Sequence, residues 1–211
     1  MDEILRLINE LFKYDNLLLF LQIMGVLIVL SSISFIAVER LVRRNKNLYS
    51  KSVMRKALDL SCLSIAQGKD IEIRANIFMP ENSGNGKLFL RFCSSNMIDD
   101  KDREIEFEKW QGGVGMAYGA NEIILADLSI KEVMGGATWG LTPEQVEITE
   151  GLKSILCIPI NHPNQEGEII AIYSVDSRES IIDFLSEEKT LTIASEYASQ
   201  MGELLLALEV I

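Results

Sequence analysis

Histidine occurs once in the 211 residues, at position 162, and cysteine three times. One imidazole and three scattered thiols exclude a zinc ribbon and a disulfide framework. A histidine-dependent hydrolase would have to rely on His162 alone, which stands in the turn-like stretch NHPNQ without an evident catalytic partner. Basic residues are also scarce, 20 against 31 acidic ones, for a net charge of −11. A nucleic-acid binder needs clustered Lys and Arg to meet phosphates, so the balance speaks against that class. Mean hydropathy is nonetheless +0.17, with 48% apolar residues. A soluble acidic domain should not average positive, so the apolar residues must be concentrated in one place.

That place is residues 16–38, which carry no formal charge between Asp15 and Glu39. As a helix the run is about 34 Å long, enough to cross a hydrocarbon core of about 30 Å. A signal peptide would have a shorter apolar region behind a basic start. Here Asp2, Glu3, Glu10 and Asp15 precede it against Arg6 and Lys13. The expectation is a single-pass anchor in the lipid bilayer of a cell membrane. Arg40, Arg43, Arg44, Lys46 and Lys51 follow the run, which places residues 39–211 in the cytoplasm and the N-terminus outside by the positive-inside rule. Residues 47–211 hold 14 basic and 26 acidic residues, so the acidity belongs to the cytoplasmic part. Ile4, Leu5, Leu7, Ile8, Leu11 and Phe12 recur at helical spacing, consistent either with an interfacial helix or with an extension of the span. The expected organisation is an extracytoplasmic segment at 1–15, the span at 16–38, a juxtamembrane and signalling helix at 39–67, and a domain at 68–211.

No Pro or Gly interrupts residues 26–67, so the membrane helix is expected to run on into the domain as one stiff rod. Met54, Leu58, Cys62 and Ile65 recur at steps of three and four. The period then becomes two. Ile71, Ile73, Ala75, Ile77 and Met79 alternate with Glu72, Arg74 and Asn76, and Leu88, Leu90 and Phe92 repeat the pattern after the turn chemistry of PENSGNG. EIEFEKW (104–110) is a third strand. A glycine-punctuated segment (Gly112, Gly113, Gly115, Gly119) leads to a strand at 123–125. SILCIPI (154–160) and GEIIAIYSV (167–175) make a second hairpin, with Pro159 an oddity because it removes a ladder donor. From Ser186, a plausible N-cap, the period is helical to the end. Helix, hairpin, strand, glycine segment, hairpin and helix predict an α+β fold with a mostly antiparallel sheet and both terminal helices on one face.

WQGGVGMAYGANEIILADL (110–128), GLKSILCIPI (151–160), GEIIAIYSVDSRE (167–179) and DFLSEEKTLTIASEYASQ (183–200) together resemble, in order, the four sequence blocks of GAF domains. The resemblance covers about residues 50–210. It implies a regulatory fold that binds a small molecule, is often dimeric and is often joined by helices to an output domain. Departures from subfamily patterns are informative. Asp176-Ser177 and Phe184-Leu185-Ser186-Glu187-Glu188-Lys189 depart from the phosphodiesterase-type cyclic-nucleotide pattern. No Cys adjoins His162 as the bilin-binding subset requires. Val114 stands where the free methionine sulfoxide reductases carry a Cys.

The resemblance also implies that residues 127–151 cover a ligand pocket. This stretch holds Thr138 and Trp139 between Gly135, Gly136 and Gly140, followed by a helix start at Thr142-Pro143-Glu144. An aromatic residue between glycines suits a lid over a planar ligand, or it plugs the open face of the sheet. Trp139, Thr138, Tyr118, Asp127, Cys157 and Tyr173 are the candidate ligand contacts. Tyr118 and Tyr173 could equally be packing residues, Asp127 and Asp176 could cap or turn the chain, and Cys157 could be a small buried hydrophobe. No catalytic residue, metal ligand or cofactor is expected. GNGK (84–87) lacks the spacing of a phosphate loop. Output is expected to pass through the membrane span, through self-association or to a separate partner. The expected function is therefore a membrane-anchored sensor acting through its helices, as a homodimer or on a separate output protein. A ligand-gated membrane effector and an interaction scaffold with a closed pocket are the alternatives.

Overall fold

The structure, a computed structural model, describes Glu3 and residues 14–81, 86–95, 105–129 and 139–210, with the side chains of 14–35, 37, 38 and 43 excepted. It divides into two compact units, residues 1–49 and 50–211. The long helix α1 (Tyr14–Ala66) supplies the described backbone of the first unit and enters the second. Among the described residues no helix is long and apolar enough to cross a membrane. Nearly all side chains of the expected span, and nearly all of the expected segment at 1–15, lie outside the described residues.

In the second unit α1 is followed by β1 (Arg74–Pro80), β2 (Leu88–Cys93), β3 (Glu106–Phe107), α2 (Gly112–Ala120) and β4 (Ile124–Asp127). Then come α3 (Pro143–Ile148), β5 (Ser154–Asn161), β6 (Ile169–Ser177), α4 (Ile182–Leu185) and α5 (Glu188–Ala207). The strands form one antiparallel sheet in the order β3-β2-β1-β6-β5-β4. Side chains alternate between the two faces of a strand, so each strand feeds two different cores. Ala75, Ile77 and Met79 of β1 with Ala171, Tyr173 and Val175 of β6 pack against Met54, Leu58 and Ile65 of α1 and Ala194, Ala198, Met201 and Leu205 of α5. The two terminal helices do share one face. Met54, Leu58 and Ile65 are fully buried, so the end of α1 is core of the domain rather than a segment preceding it at residue 68.

The other face carries Phe78, Leu88, Phe107, Ile155, Cys157 and Ile172 against Val114 and Ala117 of α2. The glycine-punctuated segment is a nine-residue helix. Its glycines serve close approach: a Cβ on Gly115 would lie 2.1 Å from the Glu108 carbonyl oxygen, and one on Gly119 would lie 2.5 Å from the Trp110 ring. One local expectation is corrected here: Ser186 does not cap the last helix. It closes α4, its hydroxyl donating to the Asp183 carbonyl at 2.7 Å, and Glu187 is the N-cap of α5. Pro159 sits in β5 opposite Ile172, beyond the point where β4 stops pairing at Cys157, so β5 is an edge there and tolerates the missing donor.

Leu58 anchors α1 in the helix-side core with no exposed surface. Leu58→Ala should destabilise the chain by about 2–5 kcal/mol in denaturant unfolding, the usual range for a buried leucine. A loss under about 1 kcal/mol would show that α1 is not part of the domain core.

Candidate functional site

The face of the sheet away from α1 and α5 is not uniformly apolar. The strand registers set Cys93, Asn76, Ser174 and Cys157 side by side across β2, β1, β6 and β5. The next row pairs Arg74 with Asp176 and Asp176 with Ile155. On the other side stands an apolar row of Leu90, Phe78 and Ile172. Arg74, Asn76, Ser174 and Asp176 are all buried. The Arg74 Nε–H donates to Asp176 Oδ1, and the Asn76 amide donates to Asp176 Oδ2 at 2.9 Å. This buried ion pair satisfies the rule that interior charges are paired and hydrogen-bonded.

Above these rows lies a small cavity of about 50 Å³. Arg74, Asn76, Ser174 and Asp176 form its polar floor, and Phe78, Leu90, Ile105, Phe107, Val114 and Ile155 are among its apolar walls. Phe78 and Phe107 meet edge to face with ring centres 5.6 Å apart. A second cavity of about 50 Å³ adjoins it and shares Phe107, Val114, Thr149, Leu152 and Ile155. Its remaining walls come from the start of α2 (Gly112, Gly113) and from Leu128, Trp139, Leu141 and Val146.

The cover over these cavities is held in place by Gln145. Thr142 caps α3 in a capping box with Gln145, and Pro143 occupies the first turn, where its missing N–H costs nothing. The Gln145 amide also donates to the Glu106 carbonyl at 2.6 Å and to Gln111 Oε1 at 3.0 Å. Gln111 in turn donates to the Gly140 carbonyl at 2.7 Å. The Gly112 N–H donates to the Trp139 carbonyl at 2.7 Å. Residues 139–149 are thereby tied to β3 and α2. The Trp139 indole N–H is buried and finds no acceptor among the described residues. A buried donor without a partner calls for a water or ligand acceptor.

No protein-family model matches the sequence, and no curated protein sequence does. Solved structures do match the shape. The GAF domain of a phosphoenolpyruvate-protein phosphotransferase from Coxiella burnetii superposes with a TM-score of 0.53 at 18% identity, covering 74% of this chain and 84% of its own. The GAF domain region of a "putative membrane protein" from Geobacter sulfurreducens gives 0.52 at 20% identity, over 80% of this chain and 98% of that one.

The fold is GAF-like.

A type II free methionine-R-sulfoxide reductase from Thermoplasma acidophilum is also similar, with a TM-score of 0.50 at 17% identity over 75% of this chain and 96% of its own.

Within the GAF-like domain the six expected ligand contacts separate. Trp139 lines the second cavity. Thr138, with the rest of the lid at 130–138, lies outside the described residues. Cys157 is buried on the cavity side of the sheet, 3.7 Å from the Ser174 hydroxyl and beneath Gly113. Tyr118 packs partly buried against the cavity-side core without lining either cavity. Asp127 ends β4 and accepts from the Ser129 N–H and hydroxyl, which hold its carboxyl below the usual carboxylate range. Tyr173 is removed from the cavity altogether. It is fully buried on the helix face, and its hydroxyl donates to Ser61 at 2.9 Å. The reason is its parity: Tyr173 and Ser174 are neighbours in β6 and must point to opposite faces. Arg74, Asn76, Ser174 and Asp176 were missed as a group. Their signal was that Arg74 and Asn76 share one side of β1, a side the sequence assigns to water.

Burial pushes the Cys157 thiol up to about 12, and burial likewise pushes Cys62 up to about 11. At pH 8 the thiolate fraction of Cys157 is then about one part in ten thousand. Iodoacetamide at pH 8 should leave Cys157 unmodified in the native chain and label it after denaturation, as read by peptide mass spectrometry. Native labelling of Cys157 at the rate of a free thiol would contradict its burial. Trp139→Phe removes a donor without an acceptor, so thermal unfolding should change by less than about 1 kcal/mol. A larger loss would mean the indole N–H is satisfied in the native state.

Proposed function

We propose that this chain is a membrane-anchored regulatory protein whose GAF-like domain holds a small ligand and reports its occupancy through α1 and α5. The observation that carries the reading is the cavity with a polar floor on one face of a sheet whose other face bears both terminal helices. A mostly apolar cavity with a few convergent polar groups is the usual chemical make-up of a small-molecule site. β6 connects the two faces directly. Ser174 and Asp176 stand in the cavity floor while Tyr173 and Val175 pack on the helices. A shift of β6 on binding would be felt by α1 through the Tyr173–Ser61 hydrogen bond.

Anchoring is proposed from the 23 uncharged residues at 16–38 and the basic residues after them, which would put the domain in the cytoplasm. The Geobacter neighbour's description as a membrane protein accords with it. Leu60 and Leu63 of α1 are exposed by 58% and 70%, a surface suited to pairing with a second copy, so a homodimer is proposed. A regulatory role is proposed because the solved structures of this shape are mainly GAF domains.

The full chain should sediment with membranes, resist carbonate extraction, and release a small molecule on denaturation that mass spectrometry detects in near-equal molar amount. Extraction by carbonate would contradict the anchor. Absence of any released molecule, together with no thermal stabilisation by a broad metabolite library, would contradict the ligand site.

A further inference from the structure

Between α1 and β2 lies an open groove of about 360 Å³, larger than either cavity and wholly within the unit of residues 50–211. Lys51 and Arg55 line it from the helix, and Arg91 lines it from the strand. The β1–β2 register passes from Ile77–Phe92 to Phe78–Leu90, so Arg91 is the extra residue of a β-bulge. A bulge takes a side chain out of the regular alternation and re-aims it, and bulges are commonest at sheet edges. β3 pairs only with Leu88 and Phe89, so from Arg91 onward β2 has no outer strand among the described residues. The bulge thus presents Arg91 at a free edge, in the same groove as two cations of α1.

No carboxylate lines the groove among the described residues. Lys51, Arg55 and Arg91 are exposed, and none of them makes an ion pair there; Arg91 has the Phe89 ring, 5.7 Å from its guanidinium carbon. Asp59, one turn beyond Arg55, accepts from the Ser95 N–H at 2.6 Å instead. In a chain with 31 acidic and 20 basic residues, three cations without a carboxylate are not an ordinary face of mixed charge. Lys51 and Arg55 are also four apart on one helix, a spacing at which like charges repel. An anion in the groove offsets that repulsion. A dianion with three oxygens suits the set better than a carboxylate: two guanidinium groups can each meet a pair of oxygens, and the ammonium adds a point charge. Leu90 and Phe92 supply apolar surface for the organic part of such a ligand. We infer that this groove binds a phosphate monoester, carried by a soluble metabolite or by a lipid headgroup. The inference goes beyond the cavity reading and does not rest on it.

Calorimetric titration of the full chain in a neutral detergent tests it in two arms. Glucose 6-phosphate and AMP supply the monoester in soluble form, and dioctanoyl phosphatidic acid supplies it as a headgroup. Saturable binding in at least one arm is expected, and the arm that binds names the source. The matching diesters of single charge, AMP methyl ester and dioctanoyl phosphatidylglycerol, should bind about tenfold more weakly. Arg91→Gln should weaken the monoester by about tenfold, and Lys51→Gln/Arg55→Gln by about a hundredfold, with circular dichroism unchanged because all three side chains are exposed. Lys56→Gln, which removes an exposed cation of α1 that does not line the groove, should leave binding as it is. Binding of none of the monoesters would overturn the assignment. So would monoester binding that Arg91→Gln and Lys51→Gln/Arg55→Gln leave intact, which would place the ligand elsewhere, or a loss with Lys56→Gln as large as with Arg91→Gln, which would make it an effect of net charge.

Discussion

The ion pair of Arg74 and Asp176 stands where the rest of the domain meets. It joins β1 to β6, the two central strands of the sheet, on the face opposite the helices. Two desolvated charges bring little net stability, and an apolar pair of similar volume would often do as well. Its position explains it better than its energy does. The pair forms a polar island under an apolar cavity, with α2 on one side, residues 139–149 above and the sheet below. In such surroundings a charge is worth far more than at the surface.

Strand parity then couples that floor to the helices. Because neighbouring residues of β6 point to opposite faces, a strand that contributes Ser174 and Asp176 to the cavity must contribute Tyr173 and Val175 to the core under α1 and α5. A packed core is not continuously deformable, so a displacement of β6 is passed on rather than absorbed. The glycines of α2 serve the same end. Gly115 lets the helix start sit against the Glu108 carbonyl, and Gly113 lets it approach Cys157 and Ile155. The helix thereby closes the cavity from the side without filling it.

Much of this was legible in the sequence. The alternation of Ile71 to Met79, the two hairpins and the stripe from Leu191 to Leu208 predict the sheet and the last helix, and Thr142-Pro143 predicts α3 with its cap. What the sequence concealed was which polar residues face water. Arg74 and Asn76 alternate with apolar neighbours as solvent-facing residues do, and period two cannot tell a solvated face from one covered by α2 and α3. Asp176 reads as a lone carboxylate because its partner is about a hundred residues away and meets it only through the β1–β6 register. Tyr173 invited a binding role by its chemistry, and its parity with Ser174 places it on the helix side. The glycine run does not read as a helix because propensity counts glycine against one, while here the close approach of backbones decides.

The chain has two tryptophans, Trp110 exposed and Trp139 in the cavity wall, so a nitrogen-15 spectrum should show two indole N–H resonances, assignable with Trp110→Phe. The account predicts that a small-molecule extract of cells, added to ligand-free protein, moves the Trp139 resonance while Trp110 stays in place. A Trp139 resonance that does not move would contradict the claim that this cavity is a binding site.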